Sequence, residues 1–154
     1  MLLFIVFVPA VSAQEHLGVP EKFVGKWSCV YTSATDPAKY APRARVWRIE
    51  ATGESTATGR YPADHSTGIQ GRYRSKLKLN FQNGSFTQAL TEYNLIDPIR
   101  NGEPMSDPEI ADFERQVMSG KPVAVDYVWL SSNAFRTLSQ YTDMNCERAE
   151  EANS

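Results

Sequence analysis

The sequence predicts a mostly β protein, an antiparallel meander that closes into a small barrel of about eight strands, with one helix inserted near residues 106–119. Three observations support this prediction. Short segments in which apolar and polar residues alternate recur between turn signals, as in an antiparallel sheet. Helical spacing is found in a single segment, and two cysteines lie near opposite ends of the chain.

The first thirteen residues form an apolar, uncharged leader that ends in Val11-Ser12-Ala13. Signal peptidase recognises small residues at this spacing, so we expect cleavage before Gln14 and export to a periplasm or to the medium. A membrane anchor is the alternative interpretation, but the leader is much shorter than the roughly 20 apolar residues that cross a bilayer. Residues 14–154 then form one domain, of a length that suits a single hydrophobic core.

The first three strands are predicted from alternation and from the turns that separate them. They cover residues 25–33, 43–51 and 55–61. Gly53 lies between the second and third strands, and so short a connection indicates a hairpin.

The fourth strand, residues 71–81, has the clearest alternation in the chain. Its apolar side carries Tyr73, Ser75, Leu77, Leu79 and Phe81, and its basic side carries Arg72, Arg74, Lys76 and Lys78. Asn83-Gly84 follows, and these two residues readily adopt the positive φ angles of a tight hairpin turn. The fifth strand is therefore predicted over residues 85–95, antiparallel to the fourth.

The predicted helix begins after Ser106-Asp107-Pro108-Glu109, which has the sequence of a capping box. Apolar residues follow at helical spacing, namely Ile110, Phe113 and Val117. Gly120 and Pro122 end the segment. We expect one helix of about twelve residues, and because its apolar side is narrow, it should lie on the sheet or cap one end of the barrel.

The last two full strands are predicted over residues 123–131 and 134–141, and a short final segment carries Cys146. Cys29 and Cys146 are the two cysteines of the chain. Export to an oxidising compartment favours a disulfide between them, and two isolated cysteines without a neighbouring histidine do not suggest a metal site.

Two further residues lie at matching distances from these cysteines. Trp27 is two residues before Cys29, and Arg148 is two residues after Cys146. Opposed residues of an antiparallel pair have a constant sum of positions, so the register that opposes the cysteines also opposes Trp27 and Arg148 on the same face. An arginine over an indole is a favourable cation–π contact. The first and last strands are therefore expected to pair, which closes the meander into a barrel.

These residues resemble a known family. Gly25-Lys26-Trp27 is similar to the Gly-x-Trp signature of lipocalins and related calycin barrels, in which a late arginine packs across the tryptophan. The two ends of the chain are also similar to small exported bacterial proteins of the lipocalin-like kind. The resemblance implies that Gly25, Trp27 and Arg148 serve barrel closure. Two features depart from lipocalins: Thr142-Asp143-Met144 lies too close to Arg148 to be their Thr-Asp-Tyr motif, and the helix precedes the last hairpin instead of following the barrel.

The sequence contains no pattern that indicates catalysis. Asp64-His65-Ser66 has the residue types of a hydrolase triad, but residues adjacent in sequence cannot generally converge on one reacting atom. His16 and His65 have no ligand partners at metal-site spacing. We therefore expect a non-enzymatic protein with no cofactor and no metal ion.

The charge pattern bears on partners. The net charge of −2 argues against a nucleic-acid partner, since such proteins are strongly basic. The four basic residues of the fourth strand, Arg72, Arg74, Lys76 and Lys78, are named the basic stripe below. We interpret the basic stripe as a solvated outer face, and contact with an anionic envelope surface is the alternative.

The expected function is the binding of a small apolar or amphipathic ligand by an exported barrel. Tyr73, Ser75, Leu77 and Leu79 would line the interior if the basic stripe faces outward. Side chains can also fill a small barrel completely, and the sequence leaves both possibilities open. The alternative is an envelope interaction protein or inhibitor that acts through its outer surface.

Overall fold

The structure is a computed structural model that describes residues 18–35, 43–62, 65 and 67–150. The predicted leader and Gln14 lie outside these residues, and so do His16, Asp64 and Ser66. The elements are a 3-10 helix at Glu21–Phe23, an α-helix α1 at Asp107–Met118, and nine strands: β1 Gly25–Ser33, β2 Arg43–Ile49, β3 Glu54–Tyr61, β4 Ile69–Gln82, β5 Ser85–Arg100, β6 Glu103–Pro104, β7 Val123–Ser131, β8 Ala134–Leu138 and β9 Thr142–Arg148.

Eight of these strands form a closed antiparallel barrel. Strands β1 to β5 pair in chain order, β5 pairs with β7, and β7, β8 and β9 continue in order until β9 returns to β1. Strand β6 is a two-residue addition to β5 outside the barrel. The predicted fold class, a barrel of about eight strands with one helix, is confirmed.

The register between the first and last strands is the one predicted. Cys29 pairs with Cys146, and Trp27 pairs with Arg148. The same strand β1 pairs with β2 on its other side, where Trp27 is opposite Trp47. Because β1 has a neighbour on both sides, it is not an edge strand, and barrel closure removes the exposed edge that an open meander would have there.

Strands β4 and β5 are longer than predicted. They form one hairpin in which Ile69 is paired with Arg100, with register shifts between Gln70 and Arg72 and between Lys76 and Leu77. The prediction stopped this hairpin early because irregular pairing breaks the simple alternation of side chains. The extra length lets both strands extend beyond the rest of the barrel wall.

Two other strands are shorter than predicted. Strand β2 ends at Ile49 because the following residues form a turn, closed by a hydrogen bond from the Glu50 N–H to the Glu54 carbonyl at 2.9 Å. Strand β8 ends at Leu138 because Ser139 begins another turn. The Ser139 hydroxyl donates to the Thr142 carbonyl at 3.0 Å and accepts from the Thr142 N–H at 3.0 Å. β9 starts directly after that turn.

One end of the barrel is filled by aromatic side chains. Phe23, on the 3-10 helix, is fully buried and lies 4.8 Å from the ring of Phe81 and 5.0 Å from that of Phe135. Trp27 lies 4.7 Å from Phe135. Aromatic pairs at these separations stabilise the fold in addition to the contribution from their buried apolar area. The 3-10 helix therefore plugs this end, which we call the closed end.

Helix α1 lies along β5, where β5 has passed its pairing with β7. That pairing covers Ser85–Gln88, the first four residues of the strand. Farther along, the backbone N–H of Leu95 donates to the Glu114 carboxylate at 2.7 Å. A helix side chain thus satisfies a backbone group that a strand would otherwise bond. The predicted capping interaction is present, since Glu109 accepts from the N–H of Ser106 at 2.9 Å and from its hydroxyl at 2.7 Å.

Candidate functional site: an interior cavity opposite the closed end

The closed end holds the residues that the sequence assigned to barrel closure. Cys29 and Cys146 form a disulfide that links β1 to β9 across 117 residues of chain. The Arg148 guanidinium lies 4.3 Å from the centre of the Trp27 ring. It also donates to the carbonyls of Lys22 at 2.7 Å and Val24 at 3.0 Å. Arg148 therefore joins the last strand to the first strand and to the plug before it.

Gly25 makes room for this arginine. Its φ of +127° is one that residues with a side chain rarely adopt. A Cβ atom at this position would lie 2.8 Å from Nη1 of Arg148. The glycine and the arginine are thus parts of one arrangement, in which the missing side chain allows the guanidinium to reach the indole face.

The opposite end of the interior contains a cavity of about 240 Å³. Its wall is partly apolar and partly polar. The apolar lining residues are Phe86, Val123, Val125 and Met144, and the polar ones are Tyr31, Arg45, Tyr73, Gln88, Thr137, Ser139, Tyr141 and Thr142. A cavity of mixed lining in the mouth of a barrel is a typical location for a small-molecule site.

Arg45 is the charged residue of this cavity. It lies on β2, two residues before Trp47 and four before Ile49, and both of these are fully buried. Alternate residues of a strand face the same side, so the Arg45 side chain enters the barrel interior. The guanidinium lies 4.9 Å from the centre of the Trp47 ring and 5.8 Å from that of Tyr31. Its Nε is buried and has no hydrogen-bond partner within the described part of the chain. Burial lowers the pKa of Arg45, and the nearby Tyr73 and Tyr31 oppose this effect.

A glycine in the barrel wall brings Tyr73 toward Arg45. Gly59 on β3 is paired with Arg45 on one side and with Tyr73 on the other. A Cβ at Gly59 would lie 2.5 Å from the Tyr73 hydroxyl oxygen and 2.6 Å from the ring carbon that bears it. Because Gly59 has no side chain, the tyrosine ring can lie across it in the direction of Arg45.

More tyrosines lie beside this row, under helix α1. The hydroxyls of Tyr61 and Tyr93 are hydrogen-bonded at 2.5 Å, and the rings of Tyr73 and Tyr93 stack at 5.8 Å. Phe113 of the helix contacts Tyr61 at 6.2 Å. Burial raises the pKa of Tyr61, Tyr73 and Tyr93, so all three stay neutral at physiological pH. They add polar groups to this end of the barrel without adding charge.

The four residues proposed from the sequence as ligand-lining occupy two different places. Tyr73 lines the cavity. Leu77 and Leu79 face the interior but belong to the packed core. Ser75 is buried between them and the cavity end, and its hydroxyl donates to the Ala57 carbonyl at 3.4 Å. Alternation identified the inward face of β4, but the position of the cavity along that face depends on the other strands.

The basic stripe lies on the outside of the barrel, and part of it is neutralised. Arg72 forms an ion pair with Asp97 at 2.9 Å, and Lys76 forms one with Glu92 at 2.6 Å. Both acidic partners lie on β5, which carries the adjacent outer face. An outer groove is lined by Arg60, Arg72 and Arg74 together with apolar residues such as Val46 and Ile96. Arg45 and Tyr73 line this groove as well as the interior cavity.

Metal-ligating side chains and His65 are further chemical groups among the described residues. None of the described residues form a group of three or more histidine, cysteine, aspartate or glutamate side chains that could hold a metal ion. The Nδ1 of His65 is hydrogen-bonded to the Thr67 hydroxyl at 2.6 Å, and its ring contacts Tyr61 at 4.6 Å. In the described part of the chain, no helix is long and apolar enough to cross a membrane.

Sequence reasoning did not select Arg45, although a signal was present. In the segment Arg43-Ala44-Arg45-Val46-Trp47, Arg45 is two residues before the tryptophan. The alternation of the strand therefore places Arg45 on the same, inward face as Trp47. No role was assigned to this residue, because arginines usually lie on the protein surface.

Comparisons with known proteins assign the chain to no family. Neither a protein-family model nor a curated protein matches the chain. Among solved structures, a redesigned β-barrel is similar over 84% of this chain and 93% of its own, with 9% identity and a TM-score of 0.41. A likeness this weak carries no argument about function. The class that strand pairing defines is a closed eight-stranded antiparallel β-barrel with a disulfide between its first and last strands.

Proposed function

We propose that this protein is an exported, lipocalin-like, non-enzymatic barrel that binds a small amphipathic molecule in its interior cavity. The observation that carries the proposal is the asymmetry of the barrel interior. One end is filled by Phe23, Trp27 and their aromatic neighbours, whereas the other end keeps a cavity with apolar and polar walls. A barrel that needed only stability would gain from side chains that fill this space, because interiors are otherwise closely packed.

Export is the second part of the proposal. It is supported by the apolar leader and by the disulfide, since disulfides persist in oxidising compartments and are rare in the cytosol. The lipocalin-like assignment is supported by the Gly-x-Trp segment together with the Trp27–Arg148 contact. A periplasm or the extracellular medium is the compartment that we propose.

A cavity-filling variant tests the binding proposal. Val125 is buried and lines the cavity, whereas Val128, on the same strand, is 48% exposed on the outside. Val125→Phe should abolish the binding of small amphipathic probes by occupying their space, and Val128→Phe should leave binding intact. Isothermal titration with 1-hexanol and hexanoate is the measurement. Equal binding to both variants and the native protein would place the ligand elsewhere and contradict the proposal.

The second candidate function is recognition of an anionic surface by the outside of the barrel. The observation that favours it is the outer groove, which Arg60, Arg72 and Arg74 line together with apolar residues. The ion pairs of Arg72 and Lys76 count against it, because they reduce the net charge that an anionic partner would meet. We therefore rank it second to the interior cavity.

A further inference from the structure

We propose that the ligand of the interior cavity is a small organic anion, a monocarboxylate with an apolar body, whose charged group is bound by Arg45. This inference rests on the proposed function, because it names the chemical class of the molecule that the cavity takes. Four observations carry it: the missing counter-ion of Arg45, the neutral donors around it, the two chemical kinds of lining residue, and the size of the cavity.

The first observation is a guanidinium without a counter-ion. In the described part of the chain Arg45 forms no ion pair, although Arg72, Arg100, Arg115 and Arg136 all do. Arg45 is half-buried, and its Nε is buried. Even partial removal of a charge from water is costly unless an opposite charge compensates for it, so charges in such positions are usually paired. A ligand anion in the cavity would supply the missing partner.

The contacts that Arg45 does make leave its hydrogen-bonding groups underused. The Tyr73 hydroxyl interacts with the guanidinium. Its other neighbours, at 4.9 and 5.8 Å, are aromatic rings, which attract the cation through their faces but accept no conventional hydrogen bond. Among the described residues the buried Nε has no partner, and neither has the indole Nε1 of the adjacent Trp47. A guanidinium presents five N–H donors in a planar fork that matches the two oxygens of a carboxylate.

The second observation is the chemistry around the guanidinium. Tyr31 and Tyr73 line the same cavity and are hydroxyl-bearing, so each can donate to an anion. The raised pKa of Tyr73 keeps that hydroxyl protonated. No described aspartate or glutamate is among the residues that line the cavity. The site therefore offers positive charge and neutral donors, a combination that selects an anion over a cation.

The third observation is that the residues lining the cavity are of two chemical kinds. Phe86, Val123, Val125 and Met144 are apolar, whereas Arg45, Tyr73 and the remaining lining residues are polar. An inorganic anion would leave the apolar residues in contact with water only. A molecule that joins an apolar body to one anionic group uses both kinds, since buried apolar area contributes about 25 cal/mol per Å².

The size of the cavity limits the ligand. Its 240 Å³ is smaller than the roughly 300–1,000 Å³ of pockets that enclose drug-sized molecules. A short-chain or single-ring carboxylic acid is therefore the expected class, in place of a long-chain lipid. Hexanoate is a suitable probe, and 1-hexanol is its match in length without the charge.

The test compares these two probes on the native protein and on three variants. Arg45→Met removes the charge and keeps similar bulk, Arg45→Lys keeps the charge without the planar fork, and Arg74→Gln removes an exposed arginine of the basic stripe. Because the guanidinium lies against Trp47, tryptophan fluorescence and isothermal titration should both report binding. Thermal unfolding without ligand is measured for each variant.

We expect hexanoate to bind the native protein at least about tenfold more tightly than 1-hexanol, since a hydrogen bond to a charged group contributes about that factor. Arg45→Met should remove this preference and retain binding of 1-hexanol, and Arg74→Gln should change neither affinity. Arg45→Lys should lower the affinity for hexanoate several-fold. Unliganded Arg45→Met should melt no lower than the native protein, because the variant has no unpaired charge to desolvate. If Arg45→Met does not fold, the comparison rests on Arg45→Lys, which keeps the positive charge.

Three results would overturn the inference, and they separate it from the proposed function. Equal affinity of the native protein for both probes, with binding lost in Val125→Phe, leaves cavity binding in place and removes the anion site. A preference for hexanoate that persists in Arg45→Met, or disappears in Arg74→Gln, assigns the charge recognition to another residue. Failure of every acid and alcohol from butyl to decyl to bind removes both the inference and the proposed function.

Discussion

The guanidinium of Arg148 lies 4.3 Å from the centre of the Trp27 ring. The same guanidinium donates hydrogen bonds to the carbonyls of Lys22 and Val24, which precede β1. The indole N–H donates to the Phe23 carbonyl at 2.8 Å. The last residue of β9 therefore fixes the start of β1 and the aromatic plug together. The aromatic side chains fill this end of the interior, and the interior cavity lies at the opposite end.

The contact between these two side chains predicts coupled energies of unfolding. Trp27→Ala should lower the free energy of unfolding by about 3–5 kcal/mol, as a large-to-small change in the core. Arg148→Ala should lower it less, through the lost stacking and the two lost hydrogen bonds. The double variant should differ from the sum by about 0.5 kcal/mol or more, since residues in contact are not additive. Denaturant unfolding of the four proteins is the measurement, and strict additivity would show that the two residues act independently.

Loss of the disulfide should destabilise the barrel without opening it at room temperature. Closure of a loop of 117 residues stabilises a fold by at most about 5 kcal/mol on the chain-entropy model. Cys29→Ser should therefore lower the melting temperature by several degrees. The native protein should show no reactive thiol until it is reduced. Full labelling of both cysteines in the native, unreduced protein would contradict the pairing.

The buried tyrosines predict a loss of stability in alkali. Burial raises the pKa of Tyr61 and Tyr93 in the folded state, whereas in the unfolded chain tyrosine ionises near pH 10. Above about pH 10 the unfolded state therefore binds fewer protons than the folded state, and stability, complete below that pH, falls as the pH rises. Denaturant unfolding at about pH 9 and about pH 11 measures the difference.

A matched pair of variants tests whether the buried tyrosines cause the loss of stability at high pH. Tyr93→Phe removes one buried hydroxyl and should flatten the decline, whereas Tyr141→Phe, at a side chain that is 60% exposed, should not. Ultraviolet titration of the folded native protein should show a fraction of its tyrosines ionising only at higher pH. Ionisation of all of them near pH 10, with the fold intact, is the contrary result.

The basic stripe predicts a weak effect on anionic membranes. Arg74→Gln together with Lys78→Gln removes two of its charges that form no ion pair with another described residue, so stability should change by less than about 1 kcal/mol. Arg115→Gln together with Lys121→Gln is the control of equal charge. If the outer surface is functional, flotation with vesicles containing anionic phospholipid should weaken in the first pair alone. Equal effects of both pairs, or no salt-sensitive binding of the native protein, would identify the stripe as a solvated face.

The sequence predicted more of the fold than of the site. The pairing of Cys29 with Cys146 was predicted from two cysteines in a chain expected to be exported. The position of Arg148 opposite Trp27 then followed because opposed residues of an antiparallel pair keep a constant sum of residue numbers. Helix α1 was predictable from its local capping sequence. Both features depend on neighbours in sequence or on a single pair of strands.

The cavity could not be predicted in this way because it depends on several strands at once. Its position results from where the aromatic plug ends, from the missing side chain at Gly59, and from the direction in which Arg45 and Tyr73 extend. Alternation alone assigned Leu77 and Leu79 to the same face as Tyr73, correctly, but gave no measure of depth along the barrel. The lateral position of α1 over β5 is another result of packing that the helix sequence does not contain.

The most direct test of the binding function is native mass spectrometry of the protein purified from its own host. The account predicts a mature chain that begins at Gln14 and carries one small molecule, which is released on unfolding and has the mass of an organic acid. The Val125→Phe variant prepared in parallel should carry none, and Val128→Phe should carry the same molecule. A native protein with no retained molecule, or one retained equally by Val125→Phe, would contradict a ligand site in the interior cavity.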